Sequence, residues 1–130
     1  MCLYVGKVKP FRRVIEPAAR SAADQGASWL VMKETYWGPG IVIPVGQIPE
    51  VVAWGDTHPN LANYDRRIGR WYLGRSIPVW YPWPSLVEHR DSPSLVKGRA
   101  GGRHAHNFIG VDRSALEVDW SGPVVQVVGK

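Results

Sequence analysis

The sequence predicts an α/β fold: a small mixed β-sheet with about three helices packed on it, and a loop-rich region toward the C-terminus. Three observations predict it. Short apolar runs of strand length, at 28–33 and 77–81, are bounded by Gly and Pro. Between them lie segments in which apolar residues recur at helical spacing. Hydrophobic residues make up 45% and charged residues 21% of the 130 positions, a globular composition. A chain of this size is one domain and buries roughly two-thirds of its unfolded surface.

Taken in order, residues 3–8 alternate loosely and read as a strand ended by Lys9-Pro10. Residues 11–25 follow, with Val14, Ala18 and Ala22 on one helical face and Arg13, Arg20 and Asp24 on the other. Pro17 is disfavoured inside a helix, so a short turn at 12–16 is expected, with Pro17 as the first helical residue. Gly26 caps that helix. Residues 28–33 form a buried strand, Trp37-Gly38-Pro39-Gly40 a tight loop, and 41–43 a further strand. Residues 46–55 read as a helix with Ile48, Val51, Val52 and Trp54 inward, and 56–63 as a polar loop. Asp65 suits the N-cap or first turn of a helix over 66–73, where the helix dipole favours negative charge. A strand at 77–81 is closed by Pro82, and 85–103 is rich in Pro, Gly, Ser and charge. A final strand at 124–128 would lie at a sheet edge. The core is therefore expected over 1–91, with 92–130 as a loop-rich basic extension.

Several function classes are excluded or disfavoured. No apolar run approaches the ~20 residues of a membrane helix, and mean hydropathy is −0.20. The first ten residues carry no signal-peptide pattern. Cys2, the one cysteine, closes no intrachain disulfide and makes no thiolate cluster. A cytoplasmic location is expected. The balance of 16 Lys+Arg against 11 Asp+Glu, a formal +5, favours anionic partners. The basic residues are scattered without a dense run, so a nucleic-acid partner is not expected. Seven tryptophans supply either core or a contact surface.

There is no phosphate-cradling glycine loop, no Cys/His metal pattern and no serine elbow. Two local groups remain. In Asn63-Tyr64-Asp65-Arg66-Arg67-Ile68-Gly69 a carboxylate at a helix mouth could serve as a base; the same residues also read as a cap flanked by solvated arginines. In His89-Arg90-Asp91 a histidine near a carboxylate could ligate a divalent ion or assist proton transfer; it also reads as an ordinary surface histidine. Residues Pro78-Val79-Trp80-Tyr81-Pro82-Trp83-Pro84 are too aromatic for a linker and are core or a binding face. Pro84-Ser85-Leu86-Val87 recurs as Pro93-Ser94-Leu95-Val96, too few copies for a solenoid, and reads as two equivalent turn-to-strand entries.

Leu3-Tyr4-Val5-Gly6, Gly26-Ala27-Ser28-Trp29-Leu30, Trp37-Gly38-Pro39-Gly40, Tyr64-Asp65-Arg66-Arg67-Ile68-Gly69 and the doubled Pro-Ser-Leu-Val around His89 occur in an order that resembles the glycosyltransferase-like proteins of actinobacteria and their phages. The resemblance covers about residues 3–108. It implies a GT-A type, Rossmann-like fold and a nucleotide-sugar transferase. In that family the N-terminal half binds the nucleotide and holds an acidic metal motif, while the C-terminal half binds the acceptor. By the resemblance Asp65 is the acceptor-side base and His89 a late histidine reaching the metal. Trp37, Gly38 and Gly40 form the sugar-facing loop, and Arg66 and Asp91 are further substrate contacts.

The chain departs from the family in one respect. No two acids are paired among Glu16, Asp24, Glu34, Glu50 and Asp56, the acids of the first 60 residues. The resemblance is therefore to a C-terminal half, not catalytic alone. Mn2+ or Mg2+ with a nucleotide sugar is expected only if the missing half is supplied. That half should dock on an exposed apolar edge near residues 3–8. The alternative is a non-catalytic phage protein that binds a host or structural protein through Trp80 and Trp83, or pairs with a second copy of itself.

Overall fold

The computed structural model describes residues 1–7, 12–89 and 104–127. Its regular elements are α1 (Arg12–Asp24), β1 (Trp29–Met32), α2 (Ile48–Asp56), α3 (Tyr64–Gly74), β2 (Val79–Pro82) and β3 (Val124–Gln126), with 3-10 turns at Val45–Gln47 and Ala115–Glu117. The strand order is β2–β1–β3, with β1 antiparallel to β2 and parallel to β3. The described residues thus form a small mixed α/β sheet with three helices.

Strand alternation sorts the side chains. Register places Leu30 between Tyr81 and Val125, and Met32 opposite Val79. All five are buried and form the core face. Trp29, Val31, Trp80, Val124 and Gln126 share the other face, where Trp80 and Val124 are each 42% exposed. The helix α1 contributes Ile15, Ala18, Ala19 and Ala22, a buried stripe at helical spacing whose small side chains suit close packing. Its end is a Schellman closure: Ala27 N–H donates to Ala22 O (2.8 Å), and Gly26, at φ 59°, donates to Ala23 O (3.3 Å).

Pro17 is not the first helical residue. The helix begins at Arg12 and carries Pro17 inside it. The proline gives up one helical hydrogen bond, but it points to solvent while the buried stripe runs past it on the other face, so packing outweighs the lost bond. Similarly, the second helix starts at Ile48, with proline among its first two residues, where a missing N–H costs nothing. The third starts at Tyr64, two residues before the expected start, with Asn63 at its N-cap.

Among the described residues, the expected strands at 3–8 and 41–43 form no ladder; Ile41 pairs in an isolated bridge with Cys2, and Gly6 with Ala105. The reason is that the N-terminal segment changes partner at almost every residue. Cys2 N–H donates to Trp80 O, Leu3 N–H to Gly40 O, Val5 N–H to Ser85 Oγ and Lys7 N–H to His104 O. Leu3 O accepts from Leu86, and Val5 O from His106. Tyr4, Val5 and Gly6 are buried as a result. The open docking edge expected at 3–8 is therefore not found: over residues 3–7 it is covered by three segments of this same chain.

The predicted final strand is present as β3, parallel to β1. Ala105, Val125 and Val127 enter the common core, so residues 104–127 are packed into the 1–89 body. The second Pro-Ser-Leu-Val copy lies outside the described residues.

Candidate functional site

The loop at 37–40 is held from inside by an aromatic anchor. Trp37 is 5% exposed and packs edge-on against Tyr4 (centroids 6.1 Å, 87°) and Tyr81 (5.8 Å, 90°). Such T-shaped contacts fix ring orientation. Trp37 is thus a core residue and its ring is not a sugar-facing platform. The Cys2 thiol lies 3.5 Å from Trp37 O, 3.6 Å from Tyr4 O and 3.7 Å from Pro39 O, and burial pushes its pKa up to about 11. A protonated, enclosed thiol of this kind is an inert filler under the loop.

The glycines explain how the loop meets its neighbours. A Cβ on Gly38 would stand 2.5 Å from Tyr64 Oη and 3.4 Å from Asp65 Cβ. A Cβ on Gly40, at φ 67°, would meet Val87 Cγ2 at 3.0 Å and Leu3 Cβ at 3.1 Å. The loop therefore wedges between the first turn of α3 and the segment leading to His89. Asp65 is half-buried there, and its Oδ1 accepts the N–H of Arg66 at 2.8 Å. It is a first-turn residue and not the N-cap. Arg66 is exposed beside it.

On the other side of the loop, Ser85 is fully buried and saturated. Its N–H donates to Asn107 O (3.0 Å), its hydroxyl donates to His106 O (3.0 Å) and accepts from Val5 N–H (3.1 Å), and its carbonyl accepts from Ile109 N–H (3.0 Å). The first Pro-Ser-Leu-Val copy thus has a structural task, which is to tie three segments together through Ser85. Glu88 extends the tie: Oε1 accepts the N–H of His89 (2.7 Å) and of Ala105 (2.8 Å), and Oε2 lies 4.0 Å from His104 Nδ1. Glu88 holds the backbone at half-buried His89 in place, a role the sequence did not reveal. Glu88→Ala should leave two part-buried amides unpaired and cost about 1–3 kcal/mol, read as a lower denaturant midpoint. Asp91 lies outside the described residues.

The described residues do not make a metal centre by themselves. No group of three or more His, Cys, Asp or Glu side chains converges among them. Three or more protein ligands are the usual minimum for a resident ion, so His89 alone does not fit one.

Two surface features complete the inventory. A groove of about 940 Å3 runs along α1 and is lined by Lys7, Glu16, Arg20, Trp83, His106 and Asp119, among others. Neither Asp65 nor His89 lines it. Lys7 and Arg20 belonged to a basic scatter with no spacing signal, which is why the groove was not legible. The outer sheet face carries a tryptophan triad: Trp29 lies edge-on to Trp80 (6.0 Å, 80°) and tilted on Trp120 (5.2 Å, 44°). Trp29 Nε1–H donates to Trp120 O and Trp120 Nε1–H to Ala115 O. Trp83, expected at a contact surface with Trp80, is 6% exposed and packs in the core toward His106; the exposed member of that pair is Trp80.

Among the described residues, no helix is long and apolar enough to cross a membrane. No protein-family model, curated protein or solved structure matches this chain.

Proposed function

We propose that the chain is the acceptor-side half of a nucleotide-sugar-dependent, glycosyltransferase-like protein, not catalytic by itself. The observation that carries this reading is the wedge at 37–40, where a Cβ on Gly38 would come within 3.4 Å of Asp65 Cβ and one on Gly40 within 3.0 Å of Val87 Cγ2, two residues before His89. Residues far apart in sequence, which the resemblance assigns to one site, flank a single loop.

In this reading the Asp65 carboxylate takes the proton of the acceptor hydroxyl as the new glycosidic bond forms. Arg66, exposed beside it, offers charge-assisted hydrogen bonds to an oxyanion of the substrate. His89, its backbone held by Glu88, faces the donor diphosphate as a hydrogen-bond donor. A divalent ion would be held by the acidic pair of the missing nucleotide-binding half, where it would stabilise the departing diphosphate. No step of this chain runs through that ion.

Calorimetric titration with UDP and GDP, with and without Mn2+, tests the assignment. Weak binding is expected, with little gain from Mn2+ until the partner half is present. It should be lost in His89→Ala and kept in Asp65→Ala, because the carboxylate acts on the acceptor. Tight, Mn2+-dependent nucleotide binding by the wild-type chain alone would contradict the reading, because it would put the nucleotide and metal site in this chain and not in the missing half. The second reading, a non-catalytic protein-binding module, is favoured by the outer-face triad with half-exposed Trp80. It requires Trp80→Ala to abolish partner capture while Asp65→Ala and His89→Ala do not.

A further inference from the structure

The groove along α1 is unused by the proposed transferase site, and its composition suits a ligand of definite chemistry. Its walls come from the N-terminal segment, α1, the exit of β2, the return at 106–107 and the approach to β3, so residues distant in sequence converge on one concavity. Its volume of about 940 Å3 matches a small molecule and not a polymer. The alanines of α1 give it one apolar side, continued by Trp83.

The charged groups of the groove differ in what they have left to offer. The carboxylate of Asp119 accepts the Ser121 N–H (2.9 Å) and hydroxyl (2.6 Å), and these bonds hold it below the usual carboxylate range. Glu16 has a polar interaction of its own. Lys7 and Arg20 are exposed, and among the described residues neither enters an ion pair. Asp119 commits one carboxylate oxygen, Oδ1, to Ser121, and Glu16 is engaged, while the two cations of the groove, on separate segments of a chain with net charge +5, retain their donors.

We propose that this groove binds a small amphipathic anion, a phosphate monoester carried on an apolar body, with the phosphate between Lys7 and Arg20 and the body against the alanine wall. A phosphate is favoured over a carboxylate because three terminal oxygens can serve two cations that approach from different segments, and the Arg20 fork can take two of them.

Phenyl phosphate is the probe, titrated into the intact chain at low salt and followed by the backbone amides of Ala22, Ala23 and Asn107. Phenyl phosphate should bind about tenfold more tightly than inorganic phosphate, since it alone buries an apolar ring, and benzyl alcohol should not bind. Lys7→Gln and Arg20→Gln should each weaken it about three- to fivefold, with unchanged thermal unfolding because both side chains are exposed. Asp65→Ala and His89→Ala should leave it untouched, which separates this site from the proposed transferase site. Equal affinity for phenyl phosphate and phosphate, indifference to both cation variants, or shifts falling at Asp65 and His89 would each overturn the proposal.

Discussion

Tyr81→Ala should destabilise the fold by about 3–5 kcal/mol, the usual cost of deleting a buried aromatic ring. Tyr81 is 0% exposed, stands opposite Leu30 on the core face of the sheet and meets Trp37 edge-on at 5.8 Å. Its hydroxyl donates to Glu34 O (3.1 Å) and accepts from Tyr36 N–H (3.2 Å), so it also orders the chain entering the 37–40 loop. Tyr81→Phe separates the two roles. It keeps the ring and removes the hydroxyl, and should cost about 1–2 kcal/mol. Chemical denaturation of both variants checks the ratio. An alanine cost no larger than that of phenylalanine would show that the ring is not a centre of the core.

The second large effect is alkaline destabilisation. Burial pushes Cys2 from the ordinary 9.0 up to about 11, and burial likewise raises Tyr81 well above 10.0. Both groups are neutral when protonated, so the folded state keeps protons that the unfolded chain releases. Stability is therefore complete below pH 9 and falls as pH rises from 9 toward 11. Cys2 alone should account for about 1 kcal/mol of loss by pH 10 and about 2 kcal/mol by pH 11, with Tyr81 adding to the fall above pH 10. Urea unfolding at pH 8 and pH 10 measures it, and Cys2→Ala should flatten the slope between them. A pH-independent midpoint would mean that the thiol is open to solvent.

Much of the fold was legible because its signals are local. The apolar runs at 28–33 and 77–81 read as strands, and they became the central strand β1 and its antiparallel neighbour β2. The glycine after α1 marked a true helix end because only a left-handed residue completes the Schellman closure. What could not be read was pairing decided at long range. Residues 3–7 have strand-like alternation but spread their backbone bonds over segments around 40, 85 and 105. Pro17 signalled a helix start, yet the stripe from Ile15 to Ala22 overrode it.

The candidate site was legible in a similar, partial way. Gly38 and Gly40 were read as part of a tight loop, and the closeness of each to the Asp65 and Val87 regions needed three dimensions. Tryptophan alone does not distinguish core from surface. Trp37 and Trp83 are enclosed, Trp80 is open, and no pattern in residues 78–84 separates Trp83 from Trp80 except the two-residue alternation of β2, which the prolines interrupt. Glu88 gave no signal because its work is to accept backbone amides, a role any well-placed carboxylate can fill.

The central claim is that the 37–40 loop, Asp65 and the segment around His89 form one sugar-facing site. The most direct test is a titration of the 15N-labelled chain with UDP-glucose and GDP-mannose. The account predicts that the amides of Gly38, Gly40, Asp65, Arg66 and His89 shift together along a single binding curve with one of the two nucleotide sugars. Silence at those amides at millimolar ligand, or shifts confined to the indole N–H signals of Trp29, Trp80 and Trp120, would contradict it and move the function to the outer face of the sheet.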